Sequence, residues 1–159
     1  MKTSQIEKLF RKHPVTGNTI FHELAYDGSL TVLKRIRDNL DEPCTFILQQ
    51  FNCEGEFSIH VAAMMHRGRH AIRLIKLLRD LGADLDARDD QLENTVLHIA
   101  VVQRDHTLAK WLCKQSQIDI NAEDVDGHTA YQLAQMDHDQ YMMDILRIHG
   151  AQCNCDQQK

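Results

Sequence analysis

The chain has 159 residues, 43% of them hydrophobic, and a formal net charge of −5 at pH 7. This length and composition suit one compact domain with a continuous core. The negative charge argues against nucleic acid as a partner, because phosphate binding needs a basic surface.

The sequence also lacks signals for export and for membrane insertion. Its first residues, Met-Lys-Thr-Ser-Gln, are not the apolar stretch of a secretory signal, and its most apolar segment, Val96 to Val102, is too short to span a bilayer. The five cysteines are odd in number and scattered, which favours free thiols in a reducing compartment. We therefore expect a protein of the cytoplasm or the nucleus, without membrane contact.

The first predicted element is a helix over residues 4 to 12. Ser4-Gln-Ile-Glu7 has the pattern of a capping box, and Ile6, Leu9 and Phe10 fall on one face of a helix. This helix precedes a series of repeats, and we expect it to cover the open end of their stack, because the ends of a solenoid need such protection.

Four related segments follow, and their last residues lie 38, 38 and 34 positions apart. They are Gly17-Asn-Thr-Ile-Phe-His22, Gly55-Glu-Phe-Ser-Ile-His60, Glu93-Asn-Thr-Val-Leu-His98 and Gly127-His-Thr-Ala-Tyr-Gln132. A second motif, Leu77-Leu-Arg-Asp-Leu-Gly-Ala83, recurs as Ile145-Leu-Arg-Ile-His-Gly-Ala151. Two separate motifs with one period predict a repeat protein.

The segments resemble the ankyrin signature Thr-Pro-Leu-His-x-Ala, which recurs about every 33 residues. The resemblance implies an all-α fold, an ankyrin-repeat solenoid of about four helix-turn-helix repeats that forms a single domain over residues 1–159. The predicted repeats cover residues 14–51, 52–89, 90–123 and 124–153, with an N-terminal cap helix within residues 1–13 and a flexible tail over residues 154–159.

Two irregularities modify this pattern. About four extra residues around Met65 to His70 predict a longer turn between the helices of the second repeat. Pro43 interrupts the helical pattern of the first repeat, and we expect residues 44 to 51 to form an added helical turn.

The threonines and histidines of the repeated motif have structural roles in this family. The threonines placed to cap the first helix of a repeat are Thr19, Thr95 and Thr129. The resemblance implies that the histidines of the motif bond back into the turn and link neighbouring repeats. They are His22, His60 and His98. In the last repeat Gln132 takes this position.

No motif indicates catalysis or a bound metal. His22-Glu-Leu-Ala-Tyr26 begins like a zinc-protease helix, but Tyr26 stands where the second histidine ligand is needed. His149, Cys153 and Cys155 supply at most three ligands, and a solvated tail is the simpler interpretation. The sequence contains neither a Gly-rich phosphate loop nor a nucleophile beside a base. We predict a protein that is not an enzyme and that has no cofactor.

Acidic residues cluster in the segments that form the projecting hairpin loops of ankyrin repeats. Asp84, Asp86, Asp89, Asp90 and Glu93 surround Arg88, and Asp119, Glu123, Asp124 and Asp126 follow one repeat later. Either these loops are simply solvated, or they meet a basic segment of a partner, where charge complementarity provides steering and selectivity. Together with inner helix positions that the core leaves free, the predicted partner-binding residues are Asp86, Arg88, Asp89, Asp90, Glu93, Glu123, Asp124, Asp126, Met65, Gln103, Arg104 and Met136.

The small size, the degenerate repeats with lengthened spacing and the bare termini resemble the viral ankyrins of polydnaviruses, which are truncated relatives of the inhibitor-of-kappaB proteins. This resemblance implies a cytoplasmic protein of the host cell that sequesters a Rel/NF-kappaB factor and suppresses immune signalling. Cellular inhibitors carry an Asp-Ser-Gly-x-x-Ser degradation signal. The similar letters here, Asp27-Gly-Ser29, are in another order and lie inside a repeat, so we expect no signal-induced removal.

A second interpretation keeps the fold and changes the partner. An ankyrin binding module for a different host protein, such as a cytoskeletal or trafficking adaptor, would have the same sequence features, because a fold does not fix a function. A ubiquitin-ligase adaptor is less favoured, since residues 155–159 leave no room for the F-box-like segment that poxviral ankyrins of that kind carry. The sequence does not predict an oligomeric state.

Overall fold

A computed structural model describes residues 11–153 of the chain. Within this range the chain forms nine α-helices and no strand. The helices are α1 (Ile20–Asp27), α2 (Leu30–Asn39), α3 (Thr45–Leu48), α4 (Ser58–Met65), α5 (Gly68–Asp80), α6 (Val96–Val102), α7 (His106–Leu112), α8 (Ala130–Met136) and α9 (Gln140–Ile148). None of these described helices is long and apolar enough to cross a membrane.

Eight of the helices form four helix-turn-helix units that stack side by side. The first helices of the units, α1, α4, α6 and α8, contact one another in sequence order and form what we call the inner row. The second helices, α2, α5, α7 and α9, do the same and form the outer row. This arrangement confirms the predicted all-α ankyrin-repeat solenoid.

Small residues allow the two rows to pack closely. Ala62, Ala100 and Ala134 of the inner row are completely buried. The outer row contributes larger side chains, among them Ile75 and Leu78 of α5, which are also completely buried. A continuous apolar core therefore runs through all four units and excludes water from the contact between the rows.

The extra residues of the second repeat lengthen a helix and not a turn. Only two residues separate α4 from α5, whereas α5 has 13 residues and α9 has 9. The prediction of a longer turn is therefore wrong. The extra residues add about one turn to the start of α5, because Ala71 and Leu74 continue its buried face at helical spacing.

The short helix α3 follows Pro43 and packs against the end of α5. The backbone N–H of Cys44 donates to the carbonyl oxygen of Leu81 at 2.7 Å. Gly82 has a φ of 112°, and a side chain at this position would collide with Thr45. A glycine is thus required where the end of α5 and the start of α3 approach each other.

The predicted N-terminal cap helix lies almost entirely outside the described residues. Residues 11–13 are described and are not helical. The Lys12 ammonium group of this segment donates to the carbonyl oxygen of Phe51, in the connection between α3 and α4, at 2.9 Å. The predicted tail, residues 154–159, also lies outside the described range.

Buried histidines connect each unit to the next. In the first unit His22 Nδ1 accepts from the Thr19 backbone N–H at 3.1 Å, and His22 Nε2 lies 2.9 Å from the Glu56 carbonyl oxygen. A carbonyl oxygen can only accept a hydrogen bond, so Nε2 carries the hydrogen and Nδ1 does not. The ring is therefore a neutral imidazole that bonds on both sides.

The same arrangement recurs in the next two units. His60 Nε2 donates to the carbonyl oxygens of Ala87 and Asn94, at 3.1 and 3.0 Å, and His98 Nε2 donates to the His128 carbonyl oxygen at 3.3 Å. Each of these carbonyl groups belongs to the connection that leads into the following unit. Burial lowers the pKa of all three ring systems, His22, His60 and His98, because desolvation disfavours the charged form.

The threonines of the motif are buried beside these rings, and their hydroxyl groups differ in partner. The Thr129 hydroxyl accepts from the Gln132 backbone N–H at 3.3 Å. The hydroxyl groups of Thr19 and Thr95 lie 2.8 and 2.9 Å from the Nδ1 atoms of His22 and His98, to which they donate. Threonine and histidine thus fix each other at the start of an inner helix.

Gln132 shows that a glutamine can replace the local hydrogen bond of the motif histidine. Its side-chain oxygen accepts from the Thr129 backbone N–H at 2.8 Å. We predict that His60→Gln keeps this local bond and loses both bonds to the next unit, which lowers the free energy of unfolding by about 1–3 kcal/mol. The matched control, Gln132→His, should change it by less than about 0.5 kcal/mol. Urea unfolding of both variants measures this, and equal effects would contradict it.

The neutral histidines also predict a pH dependence of stability. Their folded pKa values are lowered from 6.5, so below that pH the unfolded chain binds more protons than the folded one. The stability that they provide is complete above about pH 6.5 and decreases as the pH falls through their folded pKa values. Thermal unfolding between about pH 7.5 and 5.5 should show a falling midpoint. A His98→Gln variant should show a shallower fall, and an unchanged slope would count against this assignment.

Candidate functional site

Four hairpin loops, one before each inner helix, lie side by side along one edge of the stack. Backbone hydrogen bonds of 2.8 to 2.9 Å join the tips of neighbouring loops. They run from the Cys53 N–H to the Thr16 carbonyl, from the Asp90 N–H to the Gly55 carbonyl and from the Val125 N–H to the Leu92 carbonyl. The loops therefore present their outward side chains as one surface.

We call the part of this surface formed by residues 84–93 and 119–126 the acidic edge. Arg88 lies between its two halves, because its guanidinium group donates to the Glu123 carbonyl oxygen at 2.9 Å and lies 3.4 Å from the Glu93 carboxylate. The third and fourth loops are thus fixed to each other by a side chain as well as by their tips. Arg88, Glu93 and Glu123 are all exposed at this junction.

Several carboxylates of the acidic edge serve the loops themselves. Asp124 Oδ1 accepts from the backbone N–H groups of Asp126 and His128, at 3.0 and 2.8 Å, and the Asp124 side chain is only 9% exposed. Asp89 Oδ1 similarly accepts from the Leu92 N–H at 2.7 Å. Turns of this kind are a common use of aspartate. The Asp124 carboxylate, which the sequence analysis placed among the partner-binding residues, thus also holds the turn of its own loop.

Asp86 has an intermediate position on the acidic edge. It is half-buried, and one of its carboxylate oxygens accepts from the Asp119 backbone N–H at 3.2 Å. Burial raises the pKa of Asp86, and the negative charges of Asp119 and Asp84 raise it further against the effect of that hydrogen bond and of Arg88. Asp86 therefore connects the loops of the third and fourth repeats.

Three carboxylates of the acidic edge remain free, those of Asp90, Glu123 and Asp126. All three residues are exposed, and within residues 11–153 none of these carboxylates bonds with another group. Asp90 and Asp126 lie at the tips of two loops, which are joined by the bond from the Val125 N–H to the Leu92 carbonyl. The free charges therefore stand on a surface of loops that hydrogen bonds hold in place.

A row of exposed apolar side chains runs along the ends of the inner helices. It consists of Tyr26, Met65, Val102 and Met136, which are 57, 46, 62 and 61% exposed. The sequence analysis identified Met65 and Met136 but missed Tyr26 and Val102. A signal was present, because Tyr26, Val102 and Met136 each follow the motif position of His22, His98 or Gln132 by four residues. We call these four side chains the apolar row.

Two grooves lie between the loops and the inner helices, and the apolar row lines the larger of them. A groove of about 510 Å³ lies between the loop residues Val15 and Cys53 and the helix residues Tyr26 and Met65. A smaller groove of about 150 Å³ lies between Asp89 and Leu92 of the third loop and Met64 and Ile99 of the inner row. A partner seated here would meet carboxylates on one side and apolar groups on the other.

Gln103 and Arg104 connect the ends of the inner helices. Gln103 Nε2 donates to the Met64 carbonyl oxygen at 3.0 Å. The Arg104 guanidinium group donates to the carbonyl oxygen of Asp137 at 2.9 Å and to its carboxylate at 3.3 Å. Arg104 is exposed, whereas the side chain of Gln103 is committed to the contact between α6 and α4. Of these two predicted contact residues, Arg104 is the more accessible.

The structure gives other roles to the side chains that suggested a metal ligand. His149 Nδ1 bonds with the Ile145 carbonyl oxygen at 2.8 Å, and Cys155 lies outside the described residues. Asp124, Asp126 and His128 can bring ligand atoms within 4.8 Å of one another. The Asp124 carboxylate already accepts two backbone N–H groups. We therefore interpret these three residues as part of the turn and not as a metal site.

Comparison with known proteins gives consistent similarities. A family model described as ankyrin repeats (3 copies) matches residues 59–157. The chain is similar to I-kappa-B like protein N2 of Microplitis demolitor bracovirus (isolate Webb), with 35% identity over 89% of this chain and 78% of that protein. I-Kappa-B like proteins N1 and N3 of the same virus are 38 and 36% identical, over 70 and 92% of this chain and 80 and 91% of their own.

The turn role of Asp124 predicts unequal effects of two neighbouring substitutions. Asp124→Ala removes the acceptor of two backbone N–H groups and should lower the free energy of unfolding by about 1–2 kcal/mol. Asp126→Ala removes a free carboxylate and should change it by less than about 0.5 kcal/mol. Urea unfolding of the two variants in parallel checks the difference. A larger loss in Asp126→Ala would mean that the roles are reversed.

Proposed function

The chain belongs to the ankyrin-repeat family, among the I-kappa-B like proteins of bracoviruses, and from this premise we propose that it binds a host Rel/NF-kappaB factor and suppresses immune signalling. The observation that carries the proposal is the similarity to proteins of that name over most of the chain. Ankyrin repeats bind proteins, and within residues 11–153 the surface best suited to a partner is the acidic edge with the apolar row.

The chemistry of this surface fits a partner with a basic segment beside an apolar one. Asp90 and Asp126 supply free negative charge that attracts lysine and arginine side chains and speeds association. The apolar row supplies the contacts that hold a partner once it is bound, since aromatic residues and methionine are enriched at protein interfaces. Met65 and Met136 add adaptability, because their unbranched side chains fit irregular partner surfaces.

The proposed mechanism is competitive masking. The acidic edge covers a basic nuclear-import segment of the factor, and the apolar row contacts the neighbouring dimerisation region. A factor covered in this way stays in the cytoplasm and does not reach DNA. Within residues 11–153 the four loops and the apolar row form the surface on which the factor is held, and the fit to this surface selects among Rel partners.

The acidic edge provides the test of this proposal. We expect a purified host Rel factor that includes its basic segment to bind the full chain. Asp90→Asn with Asp126→Asn should weaken binding about threefold to tenfold, because each exposed ion pair contributes about 0.2–1 kcal/mol. Most of the loss should be in the association rate, and it should shrink as salt is added. Calorimetry and stopped-flow association at two salt concentrations measure these effects.

The matched control removes two other negative charges. Asp41→Asn with Glu42→Gln makes the same change of net charge at exposed positions between α2 and α3, away from the acidic edge. It should bind as the unmodified chain does. Failure of the unmodified chain to bind any Rel factor would reject the proposal. Equal weakening in both double variants would reject the acidic edge as the binding site.

A further inference from the structure

The outer row contains a groove that the proposed Rel-binding surface does not use. It lies between α7 and α9, has a volume of about 540 Å³, and shares no lining residue with the acidic edge or the apolar row. Its lining residues are His106, Thr107, Lys110, Trp111, Lys114 and Tyr141. His106 and Lys110 are four residues apart on α7, and Lys114 lies in the turn that follows this helix. All three line one side of the groove.

The groove has positive charge without a matching negative charge. Lys110 and Lys114 are exposed, and in the part of the chain that the structure describes neither forms an ion pair. Lys76 of α5 adds a third ammonium group, with its Nζ atom 5.7 Å from the centre of the Trp111 ring. Lys110 and Lys114 thus line the same groove as Trp111, and a third ammonium group lies near the Trp111 ring.

Two carboxylates on the side of the groove formed by α9, one at the start of this helix and one within it, are already engaged. Asp139 bonds with His106 Nε2 at 2.8 Å and accepts from the Met142 N–H at 3.0 Å. Burial opposes its ionisation, but these hydrogen bonds outweigh the burial and lower the pKa of Asp139. Asp144, on the same helix as Tyr141, pairs with Arg147 at 2.7 Å. Neither carboxylate neutralises Lys110 or Lys114.

Aromatic groups give the groove an apolar floor. Trp111 is half-buried, and Tyr141 is 57% exposed although its ring packs edge-on against His106, with the ring centres 5.0 Å apart. Tryptophan and tyrosine in a concave surface, bordered by charged groups, are typical of the central contacts of protein interfaces. The floor provides contact area, and the lysines on the border select the charge of the ligand.

We propose that this outer groove binds an acidic peptide segment of a second partner protein. Lysine ammonium groups attract carboxylates, while Trp111 and Tyr141 accept an apolar side chain between them. The acidic edge repels such a segment, so the two surfaces bind ligands of opposite charge. A nucleic acid fits less well, because the protein has a net charge of −5 and the groove offers two lining lysines, with a third near Trp111, in place of an extended basic surface.

The chain contains a built-in probe for this groove. Trp111 is the only tryptophan of the sequence, so the tryptophan emission of the full protein reports on the groove alone. The ligand for the test is a short peptide of alternating glutamate and leucine. Two comparison ligands are the same peptide with glutamine for glutamate, and a single-stranded DNA of equal charge. Each is titrated into the full chain at low salt.

We expect a saturable change in Trp111 emission with the acidic peptide and weak or no response to the glutamine peptide and to DNA. Lys110→Gln with Lys114→Gln should lower the affinity for the acidic peptide about fivefold. The control, Lys34→Gln with Arg35→Gln, removes two charges from exposed positions of α2 outside the groove and should bind normally. Circular dichroism verifies that all variants fold.

Three results would overturn the proposal. The first is the absence of a saturable response to the acidic peptide. The second is a response to the glutamine peptide or to DNA that equals or exceeds the response to the acidic peptide. The third is equal weakening in the two double variants, since this would indicate general charge attraction. All three can be distinguished from failure of Rel binding, which concerns the acidic edge and is measured with another ligand.

Discussion

The stack depends on a neutral imidazole that bonds in two directions. One nitrogen of His22, His60 or His98 fixes the start of its own inner helix, and the other donates to the backbone that leads into the next unit. A charged imidazole has two donors and no acceptor, so protonation breaks the local bond while it adds a buried charge. This contact also aligns the loops, because it fixes the position of each connection relative to the inner row.

The acidic edge shows how far residue type predicts a role. The sequence identified the acidic loops, and their aspartates divide into two groups for a geometric reason. Asp89 and Asp124 stand where a carboxylate reaches backbone N–H groups within its own turn, whereas Asp90 and Asp126 stand where it cannot. Composition predicts the charge of such a surface, but only the course of the backbone separates carboxylates that build a loop from those that are free.

The fold was largely predictable because two motifs recur with one period and each has a known structural role. What the sequence did not predict depends on packing between units. The extra residues of the second repeat extend α5 because Ala71 and Leu74 find a buried face. Phe57, which stands in place of the motif threonine, stacks on Phe51 with ring centres 4.2 Å apart. The spacing of Tyr26 and Val102 from the motif was readable in the sequence, but their exposure depends on how the inner helices pack.

Gln132 has a consequence for how such a protein can change in length. Its side chain completes the local bond to Thr129 but, among the described residues, makes no bond to a further unit. A duplication that copied the fourth repeat in place would therefore create a junction without the imidazole contact. A histidine at this position would have to accompany the duplication for the new unit to be joined as the others are. Gain of a repeat by copying the fourth unit then takes two genetic events, whereas a copy of one of the first three units would bring its own histidine.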